Sequence, residues 1–344
     1  MKKDKKLRIA MVAPPFGDTG GPEVVVKNLT DAFLKLGVAV TLFAPADWKT
    51  DATLVPTLPQ SLWQMTGYSE KTPQERLAIR IKSQTEVLKH EKDFDIIHLH
   101  SQRYAHLVAE LSTKPCVLTF HNKISDPEFS QIEKAGIFTV ALSESHKKDF
   151  AVSAVISNGT GVFEIEPSFK KGEYLIAIGR LAEPKGMDIA IEIANKTGKK
   201  LLIFGRKGSS AERQEYFNLK IAPFLSENIV YMGEASQIEI FKYLQDAEAL
   251  LFPIRTNIRV CPLTVIESLA CGTPVIGTAM HPMPDFLSNS KVGCFTQDVE
   301  EMVDAVRQVE SFDRRECRKV AEENFDSLVM AKKYLALYEK IISG

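Results

Sequence analysis

The amino-acid sequence predicts an α/β protein with two Rossmann-like, doubly wound domains that face a cleft. Short apolar runs alternate with amphipathic stretches along nearly the whole chain, which is the pattern that buries parallel strands between helices. The alternation stops at Asn158-Gly159 and then starts again. The length of 344 residues suits two domains at roughly 100–200 residues each. Ligands of such sheets bind at the carboxyl ends of the strands.

Strands are predicted where the apolar runs lie. In the first half these are Leu7–Ala13, Val38–Ala44, Asp95–His100, Cys116–Phe120, Ile137–Ala141 and the short Ala154–Ile156. In the second half they are Tyr174–Ile178, Lys200–Phe204, Ile229–Met232, Ala249–Pro253 and Pro274–Gly277. The helical spacing of apolar side chains predicts helices at Pro22–Leu36 and Gln74–Lys89.

The boundary between the domains is predicted inside Ser157–Phe169, which contains Gly and Pro and has no strong period. This gives a first domain at 1–160 and a second at 161–326. A final helix, at about 327–344, has one apolar face and is expected to pack back on the first domain. The connection 46–72 is interpreted as a long loop that either meets an acceptor or lipid surface or packs against its own domain.

The composition excludes several classes of protein. Lys+Arg number 43 and Asp+Glu 44, so the net charge of −1 gives no general attraction to nucleic acid or to anionic membranes. No apolar stretch reaches the roughly 18–20 residues that span a bilayer, so any membrane contact would be peripheral. The five cysteines are odd in number and widely spaced, which indicates reduced thiols in the cytoplasm rather than disulfides or a zinc site.

The segment Gly179–Gly186 is predicted to bind an anion. It leaves the first strand of the second domain and enters a helix, where free N–H groups and the helix dipole favour negative charge. Arg180 and Lys185 add fixed positive charges that together suit a diphosphate. The alternative is a solvated loop with two surface cations. The patterns of P-loop and dinucleotide-binding proteins are absent, which weakens those interpretations.

The segment Pro262–Ile276 contains an acidic residue, Glu267, on a short helix that is otherwise mostly apolar. Pro262 suits the first helical position. A buried carboxylate costs free energy unless it binds something, and a ribose diol would occupy both of its oxygens. Capping of a neighbouring loop or pairing with a cation would explain Glu267 equally well.

In the first domain, the segment Gly20–Glu23 opens the first helix. Gly20 and Gly21 allow the backbone to approach a ligand closely, and Glu23 lies in the first turn, where its charge offsets the helix dipole. A plain turn is equally compatible. His121 ends a predicted strand, and this place at the carboxyl edge of the sheet makes it a candidate ligand contact.

These segments, in this order, resemble glycosyltransferase family 4, whose members use nucleotide sugars and have the GT-B fold. The resemblance is carried by Gly20–Glu23, Asp95–His100, Thr119–Asn122, Val155–Gly159, Gly179–Gly186 and Glu267–Ile276. The segments span most of the chain and keep the family's order, so their combination is specific although each one alone is weak.

The resemblance implies a retaining transfer of a sugar from a nucleotide diphosphate sugar, bound mainly by the second domain. The acceptor would be a glycan, a lipid-linked molecule or a small molecule, held mainly by the first domain. No cofactor and no metal would be required. The leaving phosphate itself would take the proton of the acceptor, so that no protein nucleophile is needed.

The resemblance also implies roles for individual residues of the second domain. Arg180 and Lys185 would hold the diphosphate and assist its departure, and Glu267 would hold the ribose. The backbone amides of Leu263 and Thr264 would contact the distal phosphate.

For the first domain, the resemblance assigns Gly20 and Gly21 to the donor-binding residues, with Gly21 near both donor and acceptor. His121 would face the transferring sugar and counts among the catalytic residues.

The segment Thr256–Cys261 departs from the family pattern. The family has two glutamates separated by seven residues, and counting back from Glu267 places Arg259 at the first position. Pro262 replaces the glycine that precedes the phosphate-contacting amides. Three interpretations follow: an unusual donor with an acidic group that Arg259 holds, a shifted loop in which Asn257 substitutes, or binding with little activity. The first two are favoured because the diphosphate residues are present together.

Two other functions remain open at this point. An epimerase on the same fold would need a general acid/base pair, which His121 and a nearby carboxylate would supply. A non-catalytic partner of an active transferase would bind the nucleotide sugar without turning it over.

Overall fold

The computed structural model describes residues 6–18, 20–256, 262–283, 287 and 290–344. Within these residues the chain forms two parallel sheets with helices between the strands. The contacts divide the chain into two compact units. Unit 1 consists of Met1–Thr160 and Ser327–Gly344, and unit 2 of Gly161–Asp326. The predicted α/β class with two Rossmann-like sheets is confirmed.

Each sheet is entirely parallel. The strands of unit 1 are β1 (Arg8–Val12), β2 (Ala39–Ala44), β3 (Thr53–Pro56), β4 (Ile96–Leu99), β5 (Cys116–Thr119), β6 (Phe138–Ala141) and β7 (Ala154–Val155). Those of unit 2 are β8 (Tyr174–Ile178), β9 (Leu201–Phe204), β10 (Ile229–Gly233), β11 (Ala247–Phe252), β12 (Val275–Thr278) and β13 (Gly293–Thr296). The orders are β3-β2-β1-β4-β5-β6-β7 and β10-β9-β8-β11-β12-β13. The strand order therefore reverses between β1 and β4 in unit 1 and between β8 and β11 in unit 2. Such switch points are where doubly wound sheets bind ligands.

The α-helices connect the strands and cover the sheets. They are α1 (Gly21–Lys35), α2 (Pro73–Thr85), α3 (Ala105–Leu111), α4 (Asp126–Lys134), α5 (Glu144–Lys147), α6 (Met187–Thr197), α7 (Ala211–Lys220), α8 (Gln237–Asp246), α9 (Leu263–Ala270), α10 (Val299–Arg307), α11 (Arg314–Phe325) and α12 (Ser327–Ser343). Two of these helices begin with a capping box, which Thr72 and Ser236 each form with the glutamate three residues later.

The central strands are buried on both faces, which explains why they appear as continuous apolar runs in the sequence. All six residues of β11 are buried. In unit 1, Ile9 pairs with Val40 on one side and with Ile96 on the other, and all three are buried. The cores therefore lie against the two faces of each sheet.

The predicted long loop at 46–72 contains the edge strand β3. Trp48, Leu58 and Leu62 are buried, so most of this segment packs against its own unit. Trp63, in contrast, is 55% exposed. If this segment contacts another molecule, Trp63 is the side chain that would make the contact. Among the described residues, no helix is long and apolar enough to cross a membrane.

Two helix boundaries differ from the prediction. The helix predicted at Gln74–Lys89 is α-helical only to Thr85 and continues as a 3-10 helix over Glu86–Asp93. Pro262 is the N-cap of α9, with an extended ψ of 121°, rather than its first helical residue. The helix therefore begins at Leu263.

The last helix, α12, belongs to unit 1 and packs on α1. Its buried face includes Tyr334 and Tyr338. The Tyr338 hydroxyl lies 2.6 Å from Nδ1 of His98, and the Tyr334 hydroxyl lies 2.7 Å from Oγ1 of Thr119. The helix is therefore tied to β4 and β5 by buried hydrogen bonds.

Candidate functional site

The loop after β8 is pressed against the carboxyl edge of the sheet of unit 2. Residues 179–186 run from β8 through a 3-10 turn, Glu183–Lys185, into α6. Gly186 has a left-handed φ of 64°, and a side chain there would collide with the carbonyl oxygen of Pro253. Gly205 has a φ of 142°, and a side chain there would likewise collide with the carbonyl oxygen of Gly179. Glycine is required at both positions, and the loop is fixed against the ends of β9 and β11.

Two cations, Arg180 and Lys185, lie on this loop. Among the residues that the structure describes, neither side chain has an ion-pair partner. Arg180 is exposed, whereas Lys185 is half-buried and extends past Gly179. Burial, and then the nearby charge of Arg180, lower the pKa of Lys185. An anion bound here would stabilise both cations, which is the property expected of a diphosphate site.

Arg255 holds this loop in place, and the sequence analysis missed it. Its guanidinium binds Asp188 at two N–O distances of 2.6 Å and also donates to the carbonyl of Glu183 at 3.1 Å. Burial raises the pKa of Asp188, but hydrogen bonds from Arg255 and Tyr216 outweigh this, so the net shift is downward. Arg255 thus ties the segment after β11 to the turn that contains Lys185.

The carboxylate of Glu267 is buried on α9, with 8% of the residue exposed. Burial raises its pKa, and a hydrogen bond from Gln237 Nε2 to Oε1, at 2.8 Å, partly offsets this. Gln237 is the first residue of α8. A neutral amide of the protein, rather than a cation, therefore already binds one oxygen of Glu267.

The first amide groups of a helix have no partner within it. Those of Leu263 and Thr264 have no acceptor among the described residues, so they can donate to an anion at this end of α9. Arg259, together with Asn257, lies outside the described residues, and its influence on donor choice stays a prediction.

The structure thus gathers five of the predicted residues at the carboxyl edge of two neighbouring strands in unit 2. They are Arg180, Lys185, Leu263, Thr264 and Glu267, which follow β8 or β11 along the chain. Gly20, Gly21 and His121 lie in unit 1.

Unit 1 has a cavity of about 440 Å³ at its own switch point. Residues after β1, β4 and β5 line it, together with the start of α1 and one face of α2. His121 and Glu23 are among the lining residues, and so is Arg80, which the sequence analysis did not single out.

Hydrogen bonds define which nitrogen of His121 is protonated. His100 Nε2 lies 2.9 Å from the sulfur of Met11, and His100 Nδ1 lies 2.9 Å from His121 Nε2. Because a thioether only accepts, the proton of His100 is on Nε2, and His121 Nε2–H donates to its Nδ1. Burial lowers the pKa of His121 to about 3, so the ring is neutral. His121 Nδ1 therefore has a lone pair that can accept from a hydroxyl group.

The N-cap glycine of α1, Gly20, and its first residue, Gly21, have different surroundings. A side chain at Gly20 would collide with the carboxylate of Glu23 and crowd the ring of Trp63, whereas a β-carbon at Gly21 would meet nothing within 4 Å. The space beside Gly21 would therefore admit a ligand. Glu23 itself is only 4% exposed, and burial raises its pKa to about 7.

Among the described residues, no group of three or more His, Cys, Asp or Glu side chains could hold a metal ion.

Two family models match the chain, one for each unit. The model described as Glycosyltransferase Family 4 matches residues 19–155, and the model described as Glycosyl transferases group 1 matches residues 162–325. A curated relative, the D-inositol 3-phosphate glycosyltransferase of Mycolicibacterium smegmatis, is 22% identical over 87% of this chain and 80% of its own length.

Solved structures share the fold over almost the whole chain. Sucrose-phosphate synthase from Thermosynechococcus elongatus gives a TM-score of 0.75 at 16% identity and covers 98% of this chain and 100% of its own. A glycosyltransferase involved in avilamycin A biosynthesis gives 0.72 at 20% identity, with 98% of each chain covered. Anabaena HepE in complex with UDP and glucose gives 0.74 at 13% identity and covers 98% of this chain and 100% of its own. Because the two family models cover the two units in turn and solved glycosyltransferases share this architecture, the chain is a glycosyltransferase with the GT-B fold and belongs to glycosyltransferase family 4.

Proposed function

We propose that the enzyme transfers a sugar from a nucleotide diphosphate sugar to an acceptor with retention of anomeric configuration. The observation that carries this proposal is a pair of cations, Arg180 and Lys185, that lie beside a helix start at the switch point of unit 2 and have no ion-pair partner among the described residues. The structures of Anabaena HepE with UDP and with UDP-glucose support a donor of this class.

In this mechanism unit 2 holds the donor. Arg180 and Lys185 bind the diphosphate, and the amides of Leu263 and Thr264 contact its distal phosphate. Glu267 accepts a hydrogen bond from a ribose hydroxyl through Oε2, because Gln237 already donates to Oε1. As the bond from the sugar to the phosphate breaks, negative charge grows on the leaving diphosphate. The fixed cations stabilise that charge in the transition state, which lowers the barrier.

Unit 1 holds the acceptor. His121 is neutral, with a lone pair on Nδ1 that can accept a hydrogen bond from a hydroxyl of the transferring sugar or of the acceptor, and Gly21 leaves space for the reacting molecules. The acceptor hydroxyl attacks on the face that the diphosphate leaves, and a phosphate oxygen takes its proton. The configuration is retained, and no protein nucleophile is required.

We place the enzyme in the cytoplasm, which the free thiols of Cys116, Cys271, Cys294 and Cys317 support. The acceptor is a glycan, a lipid-linked molecule or a small molecule. A lipid-linked acceptor would bring unit 1 to a membrane surface, where the exposed Trp63 is suited to the interface.

We propose that transfer needs no metal ion, because Arg180 and Lys185 supply the neutralisation that a divalent cation gives elsewhere. Activity should therefore be equal with EDTA and with added magnesium or manganese. Loss of turnover in EDTA that manganese restores would refute this.

The function is tested with the purified chain and a panel of nucleotide diphosphate sugars. Thermal shift identifies the donor, and NMR then measures the anomeric configuration of the product. We expect a retained glycoside and free nucleoside diphosphate. Binding without turnover would favour the non-catalytic alternative, and recovery of an epimeric nucleotide sugar would favour an epimerase.

A further inference from the structure

We propose that the acceptor has an anionic group, a phosphate or a carboxylate, and that Arg80 in the cavity of unit 1 binds it. This inference rests on the proposed function, which assigns the donor diphosphate to unit 2. The cavity volume, about 440 Å³, lies in the range of small-molecule sites.

The cavity has an excess of positive charge. Arg80, Arg103 and Lys123 line it, and among the described residues none of the three has an ion-pair partner. Its acidic residues are Glu23 and Glu128. Burial raises the pKa of Glu23 to about 7, so near neutral pH this carboxyl is only partly ionised. The balance of charge therefore favours an anionic ligand.

The other acidic side chain is engaged by the protein. Gln102 Nε2 donates to Oε2 of Glu128 at 2.5 Å and also to the carbonyl of Lys123. Glu128 thus has a neutral donor as its hydrogen-bond partner, and within the described part of the chain it forms no ion pair with any of the three cations.

Arg80 is the cation that the protein orients. Its Nε donates to the hydroxyl of Tyr68 at 2.9 Å, and its guanidinium lies 5.0 Å from the ring centroid of Phe16. The side chain is half-buried on α2. Its two terminal NH₂ groups have no acceptor among the described residues. A guanidinium held by Nε and by a ring face loses little entropy when its outer edge binds two oxygens of one anion.

The cavity also contains a site for a neutral polar group. His121 Nδ1 accepts hydrogen bonds only, because its Nε2–H is already donated to His100. One cavity therefore offers an acceptor for a hydroxyl and a forked donor for an anion. A small polyhydroxylated molecule with a phosphate or carboxylate matches both.

The test measures binding of glucose 6-phosphate, glucuronate and neutral glucose to the full chain by calorimetry, with UDP as the probe of the donor site. Arg80→Gln removes the positive charge, and Arg80→Lys keeps the charge but lacks the paired N–H donors of a guanidinium. Arg76→Gln is the control, because Arg76 lies one turn earlier on α2 and outside the cavity. We expect the two anionic sugars to bind at least tenfold more tightly than glucose. Arg80→Gln should remove that advantage, Arg80→Lys should keep part of it, and Arg76→Gln should keep all of it.

Equal affinity for anionic and neutral sugars, or equal losses in the Arg76 and Arg80 variants, would overturn the proposal. A loss of UDP affinity in Arg80→Gln would also overturn it, because the anion would then belong to the donor. If the wild-type chain binds no nucleotide, the proposed function fails, while the comparison of the three sugars still decides whether Arg80 binds an anionic group in this cavity. The ranking of phosphate against carboxylate identifies the anionic group.

Discussion

Lys185 is half-buried in a closely packed turn and has no ion-pair partner in the part of the chain that the structure describes. Both properties suit a residue that binds a diphosphate. Its pKa is lowered by burial and by Arg180, so an anion is the group that would stabilise its charged form. A hydrogen bond to a charged group is typically worth roughly 1.5–3 kcal/mol. We therefore expect Lys185→Ala to weaken UDP binding about tenfold or more and to leave uridine binding nearly unchanged, as measured by calorimetry.

The control for this prediction is Lys220→Ala, at the exposed end of α7 in the same unit. It removes an equal charge away from the switch point and should leave the affinity for UDP unchanged. Equal UDP affinities of Lys185→Ala and wild type would contradict the assignment.

The buried carboxyl group of Glu23 should make the stability of the enzyme depend on pH. Its pKa is raised by burial from 4.5 to about 7, so the folded state holds this proton more tightly than the unfolded state. The free energy of unfolding should then fall as pH rises through this range, from about 4.5 to about 7. At about 1.4 kcal/mol per pKa unit, the shift corresponds to a loss on the order of 3 kcal/mol.

Glu23→Gln has no titrating group at this position. Its stability relative to wild type should therefore increase by up to about 3 kcal/mol between pH 5 and pH 8, in urea unfolding at a series of pH values. Glu133→Gln, at an exposed position on α4, is the control. Parallel pH curves for wild type and Glu23→Gln would show that Glu23 has an ordinary pKa in the folded state.

The site residues that could be predicted from the sequence are those whose proposed role depends on the segments directly before and after them. Arg180 and Lys185 follow a strand and precede a helix, and this local order is visible in the sequence. Arg255 was missed because its partner, Asp188, is 67 residues away and is brought near only by the pairing of β8 with β11. The tautomer of His121 depends on Met11 in the same way.

At the scale of elements, α6 is flanked by two glycines that offer a matched comparison. Gly186 and Gly198 have left-handed φ values of 64° and 66°. A side chain at Gly186 would strike the carbonyl of Pro253, whereas one at Gly198 would meet nothing within 4 Å. Gly198→Ala should cost only the left-handed strain, about 1–2 kcal/mol. Gly186→Ala should cost more and should also weaken UDP binding, because it moves the turn that contains Lys185.

Denaturant unfolding and calorimetry with UDP on both variants check this prediction. If Gly186→Ala loses no more stability than Gly198→Ala and binds UDP normally, the close packing of the loop on β11 does not position the donor site.

The strands that the sequence analysis missed are both at sheet edges. β3 and β13 lie at the ends of their sheets, and most of their residues are only half-buried. These two strands are not covered as a central strand is, so they lack the continuous apolar run from which β4 and β11 were predicted. Thr53–Pro56 also ends in proline, which is typical of edge strands.

At the scale of the molecule, the packing of α12 makes the stability of unit 1 depend on a distant part of the chain. The hydroxyl of Tyr338 and Nδ1 of His98 are both buried and lie 2.6 Å apart. Tyr338→Phe leaves His98 without this partner, which should cost about 1–3 kcal/mol. In hydrogen exchange, the loss of protection should appear in β4 and β5 and not in unit 2.

The matched control is Tyr174→Phe, which removes a hydroxyl that donates to the Tyr243 carbonyl in unit 2. Its loss of protection should appear in unit 2. The same loss of protection in both units for either variant would mean that the two units unfold together.

The apolar face of α12 was predicted from its sequence, since Ala331, Tyr334 and Tyr338 follow helical spacing. The buried hydrogen-bond partners of the two tyrosines could not be predicted, because a hydroxyl group on an apolar helix face does not indicate which polar group it binds. Thr119 and His98 lie more than 200 residues earlier in the chain.

Unit 2 is inserted between the two parts of unit 1. Synthesis of unit 1 therefore begins first but ends after that of unit 2. When the ribosome has made residue 326, every residue of unit 2 exists, but β4 and β5 still lack the tyrosines that cover His98 and Thr119. Domains generally fold as units during translation. We therefore expect unit 2 to reach its native state first. A premature stop late in the gene would then damage the domain whose synthesis began first.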